Sequence, residues 1–317
     1  VEVTRLGLGC APLGNLYEAV TDHDARATVR AALDAGVRWF DTAPLYGHGL
    51  SETRLGAALA ELPDGVRRDE LVLCSKVGRV LRPAVGERPD TIFRDVPDVD
   101  PVFDFSRDGV LRSIDDSLRR MGTDRLDVVH VHDPDHHERA ALEGAFPALL
   151  ELRHQGVIGR VGCGMNQVAM LQRFVERVDL DCILLAGRWT LLDRTGAPLL
   201  EQCADRGVHV VLGGVFNSGV LADPRPGSTF DYLPATEAVL SRAQAMSRVC
   251  AEAGVPLAAA ALQFAARHPA VGTVLVGARS AGEVQGAVEQ VRLPLPAGLW
   301  DALDRCGPPI DGCQRYP

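Results

Sequence analysis

Eight short apolar runs rich in β-branched residues recur along the chain. Each is followed by an amphipathic stretch long enough to cross back over a sheet, and this alternation restricts the architecture more than any other feature. The runs are Leu6–Cys10, Val37–Asp41, Leu71–Lys76, Leu126–His132, Gly159–Gly164, Cys182–Leu185, Val208–Gly213 and Thr273–Val276. Helical periodicity fills 24–35, 51–62, 106–121, 139–155, 167–177, 196–206, 236–254 and 281–290, with a further helix at 257–267 ahead of the last strand. Strands joined this way lie parallel and need cover on both faces. Eight such units in succession predict an α/β chain closed into a (β/α)8 TIM barrel, one domain over residues 1–317. Two segments lack either period: 78–105, rich in Pro and Asp, and 217–234. Both read as long loops, and because each follows a strand, each is expected at the carboxyl face of the barrel.

Composition narrows the function. Hydrophobic residues at 46% with 24% charged supply a core and exclude a disordered chain. The balance of 33 basic against 42 acidic residues leaves a formal charge of −9, which offers no footprint for a phosphate backbone or an anionic lipid surface. Nucleic acid and membrane are therefore not expected partners. No apolar run approaches the roughly 18 to 20 residues that span a bilayer, and Val1-Glu2-Val3-Thr4-Arg5 lacks the charged-then-apolar order of a signal peptide. A soluble, cytoplasmic protein is expected. Cys10, Cys74, Cys163, Cys182, Cys203, Cys250, Cys306 and Cys313 are scattered without a Cys-x-x-Cys pair and read as reduced packing residues.

Three of the predicted strands end in ionisable side chains, which are costly at a packed barrel mouth unless they are used. The second gives Asp41 with Tyr46 just beyond it, the third Lys76, and the fourth His130-Val131-His132 followed by Asp133-Pro134-Asp135. An Asp, a Tyr, a Lys and a His that converge suit proton transfer at a carbonyl or alcohol oxygen. A free phenol titrates near pH ~10; an ammonium beside it lowers that value, and Asp41 would hold the ammonium in place. His132 would align the substrate oxygen. No side chain here donates hydride, so a nicotinamide cofactor is implied. Asn15, Tyr17, Trp189 and the two long loops indicate a mixed polar and aromatic pocket for a small carbonyl or sugar substrate. His130 shares the inward face of His132 one layer deeper and reads as a satisfied core histidine; Asp135, His136 and His137 read as solvated.

Asp41-Thr42-Ala43-Pro44-Leu45-Tyr46-Gly47 with Gly49, Ser51 and Glu52, then Ser75-Lys76, then His132-Asp133-Pro134-Asp135, resemble the aldo-keto reductase superfamily in order, spacing and strand placement. The stretches 162–167, 186–192 and 216–219 are most similar to its branch of aldose 1-dehydrogenases, L-fucose dehydrogenases and pyridoxal 4-dehydrogenase. The resemblance implies a catalytic tetrad of Asp41, Tyr46, Lys76 and His132. It implies cofactor contacts at Asn166 for the nicotinamide amide and at Phe216, Asn217, Ser218 and Gly219 for the pyrophosphate. Gly277, Arg279 and Glu283 fall at the adenosine end, where a helix N-terminus favours an anion. The seventh strand ends in Gly213-Gly214 where many relatives carry a Tyr that stacks on the nicotinamide, and Phe216 stands as a substitute; Gly214 permits close backbone approach. Glu283 lies where many NADP-preferring relatives carry Arg, which puts NAD slightly ahead of NADP, with Arg279 as the counterweight.

The expected reaction is hydride transfer between NAD(P) and a sugar hemiacetal, oxidised at C1 to a lactone, or a small aldehyde or ketone. Three rivals stand beside it: an NADPH-dependent carbonyl reductase of secondary metabolism, a nucleotide-binding regulatory subunit without turnover, and a metal-dependent hydrolase built on His130-x-His132. The hydrolase lacks ligand-type residues at the ends of the fifth, sixth and eighth strands, so no metal is expected.

Overall fold

A computed structural model describes residues 2–86 and 91–310. Among the described residues eleven strands form: β1 Leu6–Gly9, β2 Trp39–Asp41, β3 Val72–Pro83, β4 Val99–Asp104, β5 Leu126–His132, β6 Ile158–Met165, β7 Cys182–Ala186, β8 His209–Gly213, β9 Thr229–Phe230, β10 Leu233–Pro234 and β11 Val271–Gly277. The main sheet runs β2-β1-β11-β8-β7-β6-β5-β3-β4, and β2 also pairs with β3. That last pairing closes an eight-stranded parallel barrel, as the alternation predicted. A ring of helices packs on its outer face through one large apolar cluster that includes Phe40, Leu73, Val129, Ile183 and Leu212. Helix starts are fixed locally: Ser106, Thr236 and Ser280 each accept the backbone N–H three residues on. Among the described residues no single helix is long and apolar enough to cross a membrane.

Segment 78–105 is not the single loop its prolines imply. β3 continues past the barrel rim to Pro83 and pairs antiparallel with β4, from Gly78 opposite Asp104 to Pro83 opposite Val99. Proline lacks an N–H donor, but an edge hairpin tolerates it; Pro83 and Pro101 sit in this pair, which rises above the mouth next to Lys76. Residues 87–90 of the same segment lie outside the described residues. Segment 217–234 holds only the two-residue pair β9–β10. The helix expected over 139–155 is interrupted. A wider π turn, Ala141–Ala145, separates Glu138–Ala140 from Phe146–His154, and Pro147, which has no N–H and crowds the preceding turn, begins the second piece.

Inside the barrel, rings from one strand lie over glycines of the next. A Cβ on Gly7 would come within 3.1 Å of the Trp39 ring, one on Gly162 would collide with His130, and one on Gly272 with His209. Trp39 in turn stacks on His209 with centroids 5.4 Å apart. The barrel interior therefore carries rings and polar groups among Cys74, Val128, Leu184 and Val211 rather than aliphatic layers alone. Cys10, Cys74, Cys163, Cys182, Cys203 and Cys250 are free and buried, and Cys306 is free and half-buried; Cys313 lies outside the described residues.

Candidate active site

Side chains alternate along a strand, so Asp41 shares the inward face of Trp39, Lys76 that of Cys74, and His132 that of His130. The three inward groups meet at the carboxyl end. Lys76 Nζ donates to Asp41 Oδ1 at 2.5 Å and to the Thr42 carbonyl at 2.9 Å, and the two side chains are 1% and 2% exposed. Tyr46 follows on the tight turn after β2, held by backbone contact. A Cβ on Gly14 would lie 2.6 Å from the Tyr46 carbonyl carbon, and Gly47 adopts φ +62°, a region glycine enters without strain. Lys76 Nζ sits 4.5 Å from the Tyr46 ring centroid. The His132 ring meets Tyr46 edge-on at 5.8 Å. Behind Lys76, the buried carboxylate of Glu52 accepts from Ser75 Oγ at 2.7 Å and from Arg120 Nε at 2.6 Å, which locks β3 against two helices.

Burial dominates the electrostatics. It pushes the Tyr46 phenol above its ordinary value, and Lys76 pulls in the opposite direction without overcoming it. The net lowering expected from the sequence is thus reversed, although the Lys76 effect has the expected sign. Burial also works against the Lys76 ammonium, but Asp41 and Tyr46 together hold it above its ordinary range. His132 is pushed well below its usual value by burial, then by Arg79 and Lys76, and is a neutral imidazole at working pH.

From Asp41 and Tyr46 a cleft of about 720 Å³ runs across the mouth past Asn166, Gly213 and Gly214, along Phe216–Gly219, to Gly277, Arg279 and Glu283. At Gly213 a Cβ would meet only Leu184 at 3.4 Å and Ala186 at 3.9 Å, so the floor there is open. Arg279 is tied between two acids, Glu283 at 3.0 Å and Glu18 at 2.5 Å. Tyr17 lines the cleft.

The model of the aldo/keto reductase family matches residues 5–308. The chain belongs to that family. Pyridoxal 4-dehydrogenase of Microbacterium luteolum is 41% identical over 318 residues, covering 95% of this chain and 93% of that one. D-threo-aldose 1-dehydrogenase of a Pseudomonas species is 40% identical over 310 residues with the same coverage. The holo form of an aldo-keto reductase from Bacillus halodurans superposes with a TM-score of 0.76 at 25% identity, over 98% of this chain and 94% of that one. This aldo/keto reductase is accordingly an NAD(P)-dependent oxidoreductase.

Two residues expected at the substrate are used elsewhere in this reductase. Asn15 is buried with its amide spent on the protein: its Oδ1 accepts from Val20 N and Arg54, and its Nδ2 donates to the Arg94 carbonyl. It shapes the loop after β1. Trp189 stacks on Phe264 at 5.2 Å in a second apolar cluster behind β7 and is absent from the lining of the cleft. His137, expected in solvent, packs on Phe103 at 4.6 Å and Phe105 at 5.2 Å.

Other residues enter to which the sequence assigned no site role. Asp133 lies 3.4 Å from His132 Nε2 and 3.6 Å from Arg79, whose guanidinium covers the Phe103 ring. Burial, opposed by Arg79, pushes the Asp133 carboxyl up to about 6. Arg188 is buried, donates to the Asn166 carbonyl at 3.2 Å and pairs with Asp231 at 2.8 Å, so it ties the end of β6 to the loop after β8. The available signal was an Arg directly after an apolar strand, which is costly unless paired.

Proposed function

We propose that this reductase oxidises a sugar hemiacetal at C1 to a lactone, with Asp41, Tyr46, Lys76 and His132 carrying the proton and NAD slightly ahead of NADP. The observation that carries this reading is Tyr46: it lines the same cleft as Asn166, Gly214 and Glu283, with the Lys76 ammonium 4.5 Å from its ring centroid. The bound nicotinamide supplies the hydride acceptor. The rest is the chain's own work. As the C1–H bond breaks, the proton of the anomeric hydroxyl passes to the Tyr46 phenolate, and the carbonyl forms. Lys76 stabilises that phenolate, Asp41 keeps Lys76 charged, and His132 fixes the oxygen.

The cleft suits a dinucleotide in length and lining. Its floor is open at Gly213, and Asn217 Oδ1 is a buried acceptor without a protein partner. Asn166 would hold the amide, Phe216, Asn217, Ser218 and Gly219 the pyrophosphate, and Gly277, Arg279 and Glu283 the adenosine end. The second carboxylate at Glu18 strengthens the NAD bias, because a 2′-phosphate would have to compete with two acids for Arg279. For the substrate, Asp133 and Arg79 beside His132 offer a carboxylate and a guanidinium to adjacent hydroxyls. The two relatives whose names specify pyridoxal and D-threo-aldoses support the same class.

A second reading, reduction of an aldehyde by the reverse step, is favoured by one observation. The raised Tyr46 phenol holds its proton at neutral pH and so starts as an acid. Oxidation should therefore quicken as pH rises and reduction as it falls. A panel of aldoses, pyridoxal and simple ketones, each with both cofactors and in both directions, tests the proposal. Turnover of ketones alone would overturn the sugar assignment, and no turnover with either cofactor would overturn the enzyme's placement among dehydrogenases.

A further inference from the structure

His130 was expected to be a satisfied core histidine. It is fully buried, yet neither ring nitrogen reaches a protein partner. Buried polar atoms are nearly always paired, so each exception calls for a reason. The ring is accommodated deliberately, since Gly162, its register partner on β6, would collide with it if it carried a Cβ. A second orphan lies beside it. Asp41 Oδ1 takes Lys76, while Asp41 Oδ2 is buried with no partner. Asp41, Cys74 and His130 bring their ligand atoms within 4.8 Å of one another. Two polar atoms that share one water, each about 2.8 Å from it at a tetrahedral angle, stand about 4.5 Å apart. Both atoms lack a partner, so no direct hydrogen bond joins them, and a separation within 4.8 Å is inside the reach of one bridging molecule.

We infer that His130 is a positioning residue, which donates through one buried water to the free oxygen of Asp41 and so keeps Asp41 ionised opposite Lys76. The inference rests on the proton-transfer reading of Tyr46 and Lys76. His130 suits this role as a neutral donor: burial, then Lys76 and His209, push it down to about 3, so its own charge does not change in the working range. A divalent cation at the same spacing is disfavoured by the Lys76 ammonium 2.5 Å from Asp41. The groups facing Asp41 are Lys76 and Cys74 from β3, Tyr46 from the turn after β2, Cys10 after β1, Cys182 from β7 and His130 itself. Those facing His130 are Asp41, Cys74 and Lys76, with His132, His209 from β8, and Cys182 from β7 across Gly162. Among these, Asp41 is the group whose protonation would release Lys76.

Without the donor, Asp41 takes up a proton more readily. In the oxidation direction, and in an Asp133→Asn background so that the Asp133 carboxyl does not titrate in the same range, His130→Leu should move the acid limb of kcat/KM to higher pH by about 0.5 to 1 unit. His130→Gln, which retains an N–H, should move it back. An unshifted limb with only a lowered Tm would overturn the inference. Should His130→Leu fail to fold, nitrogen-15 histidine spectra of the full wild-type chain decide the matter. A single neutral tautomer from pH 5 to 9 whose resonance moves in Asp41→Asn is the expected result; a ring that titrates in that range, or ignores Asp41→Asn, overturns it. Uptake of one equivalent of zinc, lost in Cys74→Ala, would also overturn it by making the bridge a metal ion. Tyr46→Phe run in parallel isolates the underlying reading: activity retained there means the proton-transfer assignment itself has failed, whatever His130 does.

Discussion

The two ends of the cleft are built by opposite means. At the Tyr46 end, a lysine and an aspartate are almost sealed from water, each held by one or two short bonds within a rigid barrel. At the Arg279 end, a guanidinium whose side chain is 44% exposed is shared between two acids, one on a loop and one on a helix. A buried pair leaves a stranded charge when one partner is removed, whereas an exposed pair leaves water in its place. On the proposed function, the chemistry is thus fixed where substitution is dear, and cofactor choice is set where it is cheap.

Substitutions that cross this divide should rank accordingly. Tyr46→Phe should lower kcat by about 10² to 10⁴ while leaving cofactor affinity and Tm nearly unchanged, as read by steady-state kinetics and cofactor fluorescence titration. A folded variant that keeps more than about a tenth of wild-type kcat would break the assignment. Lys76→Met should be nearly as severe in rate and should also cost about 3 to 5 kcal/mol of stability, because Asp41 is left buried and unpaired. Its oxidation rate should climb with pH further than the wild type's, since the phenol has lost the group that pulled its pKa down. A parallel pH profile would count against the pairing. Asp41→Asn should be milder, as an amide oxygen still accepts from Lys76.

Asp133 lies between the two regimes, with its side chain 35% exposed. Asp133→Asn should raise KM for aldoses about tenfold, as expected for losing a charged hydrogen bond, and barely affect a simple aldehyde. The wild-type carboxyl, pushed up to about 6, is charged above that pH; aldose kcat/KM should fall as pH drops through this value and stay flat there in the variant. Smallest of all, Glu283→Arg should improve kcat/KM with NADP by about three- to tenfold and Arg279→Ala should weaken it, the modest size following from exposure. A wild-type preference for NADP above about tenfold would show that the two acids do not govern the choice.

The barrel and the four groups at its mouth were legible because both are written locally. A β-branched run that ends in Asp, Lys or His declares a strand and a use for its last residue. What escaped depends on partners distant in the chain. Nothing near Asn15 reveals that Arg54 and Arg94 occupy its amide, and nothing near Glu18 announces Arg279, which is 261 positions away. The β3–β4 hairpin was missed for a different reason. Its prolines argue against strand by propensity, and only the knowledge that this pair forms an edge removes the objection. His130 was placed on the correct face, but its lack of a partner is a fact of three dimensions.

The rings that lie over glycines inside the barrel have a bearing on heredity. His130 with Gly162 and His209 with Gly272 are lock-and-recess pairs on different strands, whereas a Cβ on Gly7 would strike Leu275 before the Trp39 ring. Enlarging a recess residue alone forces a collision, and shrinking a ring alone opens a void, so each single step is a loss and only the joint change is tolerated. Descendants of this chain should therefore keep or exchange these positions together, and a lineage that gave up His130 would still meet Cys182 Sγ, 2.8 Å from a Cβ at position 162, before that position could grow.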